Sequence, residues 1–306
     1  MGEIIQAEEK NNVTDSPDEY GISDMEWSHS RITQFVNCPY SFYLRYIEKN
    51  KNKEANYYAE NGKLVHEILA KVLEGMMSGK CDNEELLDKA LNSYINDYPE
   101  YVVHKVKKST EEKTFELCSD YFATVDFDWL DGYEIVGVEK EVHQMIGAHK
   151  YLGYIDLLLR NKKSGKFVIV DHKSAAWPLK KNGEVLKSHE ESFASYKRQM
   201  YLYADAVMKE YNVTCDSISE LWWNHFKEGG KLVKIPFIKS EYIATKKWFT
   251  DTIRKIQLER SFPPKVNYFY CSNLCDYRNI CEYQAEAKKD FQRLKYRKQS
   301  RKKKAV

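Results

Sequence analysis

The middle of the chain carries short apolar runs that indicate neighbouring strands. One run leads to Glu139, a second leads into Asp156, and Phe167–Val170 is wholly apolar up to Asp171. Continuous apolar runs are typical of strands that are covered on both faces. A Ser-Gly pair at 164–165 supplies a turn between the second and third runs. We therefore expect the strands that carry Asp156 and Asp171 to lie side by side.

Apolar residues at helical spacing dominate the chain before residue 130 and return after the third strand. Ser28 or Ser30 can cap a first helix, which Pro39 interrupts. The further predicted helices are Asn61–Met77, Asn83–Tyr98, Thr110–Trp129, Ser192–Glu210 and Glu241–Arg260. The predicted strands are Tyr133–Glu139, Gly153–Leu159, Phe167–Lys173, Ile218–Trp223 and Lys231–Phe237. This order predicts an α/β fold with a mixed central sheet flanked by helices.

The same patterns divide the chain into five segments. We expect a flexible acidic N-terminus at 1–26, a helical annex at 27–130, an α/β core at 131–262, a cysteine-rich segment at 263–284 and a basic tail at 285–306. The annex carries Cys38 and His66.

Composition restricts where the protein works and what it binds. No apolar stretch is long enough to span a bilayer or to form the core of a signal peptide, so we expect a soluble, cytoplasmic protein without membrane contact. The net charge of +2 hides a strongly basic run at 293–304. Such a tail is suited to phosphate contacts without sequence preference, and we interpret it as an aid to nucleic-acid binding, although a solvated tail has the same composition.

The third strand places chemistry at its end. Side chains two residues apart on a strand point to the same side, so Asp171 and Lys173 share a face while His172 points to the other. Together with Asp156, this arrangement could hold a divalent metal ion with a lysine within reach of the ion's bound water.

Two helical positions admit a structural and a functional interpretation. His66 is either a packed core histidine or a neutral imidazole that completes a site of carboxylates suited to Mn²⁺ or Mg²⁺. Gln199 and Tyr203 are four residues apart on one helix side, so they either face the site or are a surface amide and a buried aromatic. The adjacent Lys197 and Arg198 could contact phosphate.

Seven cysteines without a secretory signal favour reduced thiols or metal ligands over disulfides. Three of them, Cys271, Cys275 and Cys281, lie in one short segment, and Cys38 is the best candidate for a fourth ligand. Four thiolates can hold an iron-sulfur cluster or a zinc ion. The remaining cysteines are predicted to be ordinary buried thiols, namely Cys81, Cys118 and Cys215.

Five motifs, followed by the terminal cysteines, resemble the PD-(D/E)XK nuclease superfamily. The motifs are Ser30–Pro39, Gly62–His66, Gly153–Asp156, Val170–Lys173 and Gln199–Tyr203. Within the superfamily the chain is similar to RecB-type domains with an iron-sulfur cluster, such as the AddB nuclease domain and the CRISPR-associated exonucleases. Stand-alone members are often encoded by phages, so a phage protein acting in the host cytoplasm is one expectation.

The resemblance implies a restriction-endonuclease-like core and specific residue roles. His66, Asp156, Asp171 and the His172 backbone carbonyl would bind Mg²⁺ or Mn²⁺. Lys173 would polarise or deprotonate the attacking water, while Gln199 and Tyr203 would position the DNA strand. Glu139 would be a supporting acid, although Glu141 shares its alternation and either could face solvent. The four cysteines would hold a [4Fe-4S] cluster, with structural zinc as the alternative.

The implied activity is hydrolysis of phosphodiester bonds at DNA ends, in recombination, repair or phage DNA processing. A catalytically inactive DNA-binding or assembly module and a structure-specific endonuclease are the alternatives. The chain lacks a phosphate-binding Gly-x-x-x-x-Gly-Lys-Ser/Thr loop, so unwinding would need a separate helicase partner. Two features depart from the relatives: Asp171 stands where many members have Glu, and three residues, instead of the common two, separate Cys271 from Cys275.

Overall fold

The computed structural model describes residues 20–79, 82–101 and 106–289, with the side chains of 99–101 excepted. Most of the predicted flexible N-terminus, most of the basic tail, and Cys81 lie outside these residues.

The helices lie close to where apolar spacing predicts them. They are α1 His29–Asn37, α2 Pro39–Phe42, α3 Tyr57–Ser78, α4 Asn83–Tyr101, α5 Lys108–Thr124, α6 Glu190–Glu210 and α7 Lys239–Leu258. Ser28 caps α1 by accepting from the backbone N–H of Arg31, and Pro39 separates α1 from α2. Among the described residues, no helix is long and apolar enough to cross a membrane.

The predicted end of α5 at Trp129 is wrong. The helix stops at Thr124, where Val125 takes an extended conformation. Phe127 has a positive φ of 57°, and both Val125 and Phe127 are buried. The chain leaves the helix early because these two side chains turn back into the core instead of continuing along the helix.

Five strands form one mixed sheet in chain order. They are β1 Tyr133–Ile146, β2 His149–Asn161, β3 Phe167–Lys173, β4 Ile218–His225 and β5 Lys231–Pro236. The β3–β4 pair is parallel and the other neighbours are antiparallel. The first hairpin is longer than predicted, since β1 continues past Glu139 through a stretch in which buried Val142, Gln144 and Ile146 alternate with exposed residues.

Helices cover both faces of the sheet, as the apolar run in β3 predicts. Leu157, Val168 and Val170 face the cluster formed with α3, α4 and α5. Leu158 and Ile169 face the opposite cluster, formed with α1, α6 and α7. The helices assigned to an annex thus form layers directly on the sheet, and both layers reach the end of β3.

Segments near the two ends of the described chain pack together. Trp27 pairs with Tyr151 of β2, so α1 begins beside the first hairpin. Arg45 forms an ion pair with Asp276 at 3.1 Å, joining the α2 region to the cysteine-rich segment. These contacts join the start of α1 to the first hairpin and the α2 region to the cysteine-rich segment.

Candidate active site

The two aspartates lie where β2 and β3 separate. Pairing between these strands runs from Arg160 and Phe167 to Leu157 and Val170, and Asp156 and Asp171 follow directly. At this point the backbone N–H of His172 donates to Asp156 Oδ2 at 2.7 Å, so a side chain replaces the neighbouring strand as acceptor. Asp156 is 8% exposed and Asp171 is 2% exposed, so two carboxylates meet in a buried environment.

Lys173 lies beside Asp171 and is held by a short chain of hydrogen bonds. Its Nζ is 2.6 Å from Asp171 Oδ2 and donates to Gln199 Oε1 at 3.0 Å. The amide nitrogen of Gln199 donates in turn to the Tyr203 hydroxyl at 3.0 Å. The ring of Tyr196 lies under the ammonium group, 4.4 Å from Nζ to its centroid. Gln199 and Tyr203 therefore face the site, and Gln199 touches the lysine directly.

The surroundings of Lys173 keep it charged. Burial acts to lower its pKa, but the nearby Asp171, Tyr196 and Asp156 outweigh burial and raise the pKa above the ordinary value of 10.5. In this arrangement the side chain is an ammonium ion at neutral pH. It can stabilise negative charge or orient water, but it holds its proton tightly.

A second group of ligand atoms lies on the other side of Asp156. Ligand atoms of His66, Glu139 and Asp156 all lie within 4.8 Å of one another. His66 Nδ1 is 3.5 Å from Asp156 Oδ2 and 3.7 Å from Glu139 Oε1, and its Nε2 is 3.0 Å from the His172 carbonyl oxygen. Two carboxylates and an imidazole are a donor set that suits Mn²⁺ or Mg²⁺. His66 thus lies in the site, with Glu139 rather than Asp171 completing this group of three.

Glu139 owes its position to an unusual backbone conformation. Its φ is 42°, in the left-handed region that residues other than glycine seldom adopt. It lies between Val138, which pairs with Leu157, and Lys140, which pairs with Ile155, and is therefore opposite Asp156. Glu141 instead lies beside exposed His143, with 2.6 Å between its Oε1 and His143 Nε2. Of the two glutamates that alternation left open, Glu139 is the one that faces the site.

Charges in this group are strongly coupled. Burial lowers the pKa of His66, but Asp156, Glu139 and Asp171 outweigh burial and raise it to about 9. Burial and the charge of Asp171 raise the pKa of Asp156. Without a cation the site therefore holds protons that a divalent ion would have to displace.

A cleft of about 750 Å³ opens onto Asp156, Gln199 and Tyr203. Its walls carry neutral polar groups from the start of α1 and tyrosines from the sheet and α6. The lining includes Ser28, His29, Ser30, Thr33, Asn37, Tyr151, Tyr154, Ser195, Tyr196 and Tyr270. Uncharged donors and aromatic rings are the groups that contact phosphates and bases in single strands.

Sequence reasoning missed several of these cleft residues. His29 Nε2 is 3.3 Å from both Thr33 Oγ1 and Ser195 Oγ, and so joins α1 to α6. Burial and the charges of Lys173 and Arg198 lower the pKa of His29 to about 3, which keeps the ring neutral. The four-residue spacing of His29 and Thr33 is compatible with a shared helix side, but only packing reveals Ser195 as their neighbour.

Lys197 and Arg198, the two cations predicted to contact phosphate, each contact another residue of the protein. Lys197 Nζ is 2.6 Å from Glu241 Oε2. The guanidinium of Arg198 lies 4.7 Å from the centroid of the Trp248 ring. Both side chains thus tie α6 to α7 in this structure.

The four cysteines expected to act together line one small cavity, which also contacts Tyr270 and Arg278. Cys38 and Cys275 are buried, and Cys271 and Cys281 are half-buried. Across the described residues, no three cysteine sulfur atoms lie within 4.8 Å of one another.

Of the cysteines predicted to be ordinary buried thiols, Cys118 is buried and receives a contact from Asn61 Nδ2 at 3.6 Å. The same prediction is wrong for Cys215, which is only half-buried. It begins a single helical turn, Cys215–Ser217, that connects α6 to β4, and its side chain is only partly covered there.

Comparisons with known proteins point to one family of nucleases. Residues 26–282 match the family model of the PD-(D/E)XK nuclease superfamily. A curated relative is one of the subunits of the ATP-dependent helicase/deoxyribonuclease of Alkaliphilus metalliredigens, which is 26% identical across 59% of this chain. The match spans 18% of that relative's length. A solved structure of a proposed exonuclease from Eubacterium rectale matches 83% of this chain and 87% of its own, with 12% identity and a TM-score of 0.44.

Proposed function

Because this chain belongs to the PD-(D/E)XK nuclease superfamily, we propose that it is a metal-dependent DNA exonuclease that hydrolyses phosphodiester bonds at strand ends. One observation carries the proposal: buried Asp171 and partly buried Lys173 lie beside a group formed by His66, Glu139 and Asp156, and Asp156 lines an open cleft. Degenerate sites of this kind usually lack an acid or the lysine. Here both acids and the lysine are present, which favours an active enzyme over a DNA-binding module.

The donor set suits a divalent cation. We propose that Asp156, His66 and Glu139, with Asp171 and the His172 carbonyl close by, hold Mg²⁺ or Mn²⁺. When bound, such an ion lowers the pKa of coordinated water and offsets charge that develops on the phosphate. Asp156 supports this role because it faces both the ligand group and the cleft.

Lys173 acts on the reacting groups as a cation. Its raised pKa favours a role in orienting water and stabilising the phosphate oxygens over a role as a base. The contact with Gln199 fixes the direction of the ammonium group toward the cleft. The resemblance allows Lys173 either to polarise or to deprotonate the attacking water. Its contacts and its charge support polarisation.

The relative named as part of a helicase/deoxyribonuclease supports DNA as the substrate. We propose that this chain works on DNA ends in recombination, repair or phage DNA processing, together with a helicase supplied by another protein. The tyrosine-lined cleft supports entry of a single strand, since bases of any sequence stack on aromatic rings.

A nuclease assay tests the proposal. Purified protein is incubated with Mg²⁺ or Mn²⁺ and end-labelled linear, circular or single-stranded DNA, beside the Asp171→Ala and Lys173→Ala variants. We expect mononucleotides or short products from linear DNA and no cleavage of circles. Nicked circles would indicate an endonuclease. Wild-type protein that binds but leaves every substrate intact would identify an inactive module.

We also propose that Cys38, Cys271, Cys275 and Cys281 hold a [4Fe-4S] cluster. Their shared cavity supports a common ligand. Structural zinc is the alternative, since the same four thiolates could hold a tetrahedral zinc ion. Anaerobic purification followed by visible absorbance and metal analysis decides between iron, zinc and neither.

A further inference from the structure

His172 contributes more than a backbone atom to the site. We propose that its imidazole is a positioning group: through Asn224 and Tyr121 it anchors the end of β3, and so sets where Asp156 and His66 meet a divalent ion. This inference rests on the proposed metal site. It assigns a function to the middle residue of the Asp-x-Lys motif, whose side chain points away from Asp171 and Lys173 and lies beside His66, with 5.9 Å between the two ring centroids.

Every polar group of His172 but one is engaged around the site. Its backbone N–H donates to Asp156 Oδ2 at 2.7 Å, and its carbonyl oxygen is 3.0 Å from His66 Nε2. Two side chains of the ligand group thus take their orientation from one peptide segment. A shift of that segment would move both ligands together.

The segment is held by a neighbouring strand on one side only. Pairing of β3 with β2 ends at Val170, whereas pairing with β4 continues to Lys173, opposite His225. Beyond Val170, Asp156 replaces β2 as the hydrogen-bond partner of β3. Because Asp156 is itself a ligand candidate, the end of β3 needs an anchor that lies elsewhere.

The imidazole supplies that anchor on the face of the sheet opposite to Lys173, beside His66 of α3. Asn224 Nδ2 is 3.1 Å from His172 Nδ1 and donates to the Tyr121 hydroxyl at 2.9 Å. Because Nδ2 is a donor, Nδ1 of the ring accepts and the ring proton lies on Nε2. Tyr121 belongs to α5, so the helical layer is connected through two side chains to the strand that carries Asp171.

The network is incompletely satisfied. Within the described residues, His172 Nε2 and Asn224 Oδ1 are buried without a hydrogen-bond partner. Unpaired polar atoms in a protein interior cost free energy. The network therefore contributes less to stability than its hydrogen bonds alone would, which is compatible with a role in positioning the ligands.

Binding of Mn²⁺ to DNA-free protein, measured by electron paramagnetic resonance, tests the inference without relying on cleavage. We expect His172→Leu to weaken Mn²⁺ binding about tenfold or more, the effect typical of losing a group that orients a ligand. His172→Gln should stay near the wild-type affinity, because its amide oxygen can accept from Asn224. His172→Leu leaves the buried amide of Asn224 without its acceptor, so its melting temperature should fall, and Mn²⁺ binding is compared at a temperature at which both proteins are folded.

Two tyrosine variants provide a second test that leaves β3 unchanged. Tyr121→Phe removes the far end of the anchor and should weaken Mn²⁺ binding by a smaller factor. Tyr94→Phe is its matched control, because Tyr94 is equally buried in the same layer but donates to Asn61. If His172→Leu fails to fold, the difference in Mn²⁺ affinity between Tyr121→Phe and Tyr94→Phe tests the inference instead.

The inference is overturned if His172→Leu and Tyr121→Phe bind Mn²⁺ like the wild type, or if His172→Gln binds as weakly as His172→Leu. Wild-type protein that binds no Mn²⁺ would overturn it together with the proposed metal site. Wild-type protein that binds Mn²⁺ but cuts no DNA, with His172→Leu binding weakly, would refute the nuclease proposal alone.

Discussion

Gln199 accepts a hydrogen bond from Lys173 through its Oε1 at 3.0 Å, and this contact defines the direction of the ammonium group. The other end of the amide is fixed by the Tyr203 hydroxyl. The motif on β3 that carries Lys173 and the motif on α6 that carries Gln199 and Tyr203 thus form one hydrogen-bonded unit.

Removal of either partner should affect catalysis to a different degree. We expect Lys173→Ala to lower kcat by about 10² to 10³, since it removes a cation from the developing charge. Gln199→Ala should cost less, about tenfold to a hundredfold, because it only misaligns the lysine. DNA binding should survive in both variants, as measured by fluorescence anisotropy. Equal kcat values for Gln199→Ala and the wild type would show that the amide contact is dispensable.

Gly153 lies where no side chain fits. A Cβ atom there would be 2.6 Å from Tyr203 Cε1 and 2.9 Å from Tyr151 Cε1. We expect Gly153→Ala to push the Tyr203 ring away and to lower kcat about tenfold through Gln199, with a lower melting temperature. Gly165→Ala provides a control on the same hairpin, since its Cβ meets nothing within 4 Å although its positive φ adds strain. That control should lower stability but not kcat.

Glu139→Gln should weaken metal binding while preserving the fold. The amide is nearly isosteric but lacks the charge that makes a carboxylate a good ligand for Mn²⁺. We expect Mn²⁺ affinity to fall about tenfold or more, measured by calorimetry on DNA-free protein. Glu141→Gln is the control, because Glu141 contacts exposed His143 instead. If Glu141→Gln bound Mn²⁺ as weakly as Glu139→Gln, the general negative charge of the surface would set the Mn²⁺ affinity.

The metal-free protein should lose stability as pH rises. The pKa of His66 is raised from 6.5 to about 9, so its protonation stabilises the fold fully below pH 6.5, and this contribution is lost as pH rises through 9. The pKa of Asp156 is also raised, from the ordinary aspartate value of 3.8, so ionisation of Asp156 likewise lowers the stability of the fold as pH rises above that value. We expect the melting temperature to fall between pH 6.5 and pH 9. His66→Gln should flatten that decline.

Added Mn²⁺ should reverse this trend, because the ion needs both ligands deprotonated. The rise in melting temperature caused by saturating Mn²⁺ should therefore grow over the same pH range. A rise that is independent of pH would indicate binding away from His66 and Asp156.

Cys281→Ser should damage stability more than chemistry. The proposed metal group between Cys38 and the terminal cysteines would close a long loop, and its loss would restore entropy to the unfolded chain. We expect a lower melting temperature and loss of visible absorbance, with cleavage per folded molecule within about threefold of wild type. Cys118→Ser, at a thiol outside the proposed cluster, should keep the absorbance.

The sequence by itself determined the order of elements and the local chemistry. Apolar runs located the five strands, helical spacing located the helices, and alternation in β3 put Asp171 and Lys173 on one face. These features depend on neighbours within a few residues, so their period is visible in the chain. The resemblance to the superfamily, which the family model confirmed, rested on the same local motifs.

Only the tertiary structure decided which distant groups meet. Glu139 reaches His66 because of a left-handed backbone conformation that periodicity does not reveal. His172 meets Asn224 because β3 pairs with β4, and Asn224 meets Tyr121 because α5 packs on one face of the sheet. These two contacts join residues that are 52 and 103 positions apart, and they arise from strand register and helix packing, which no local pattern specifies.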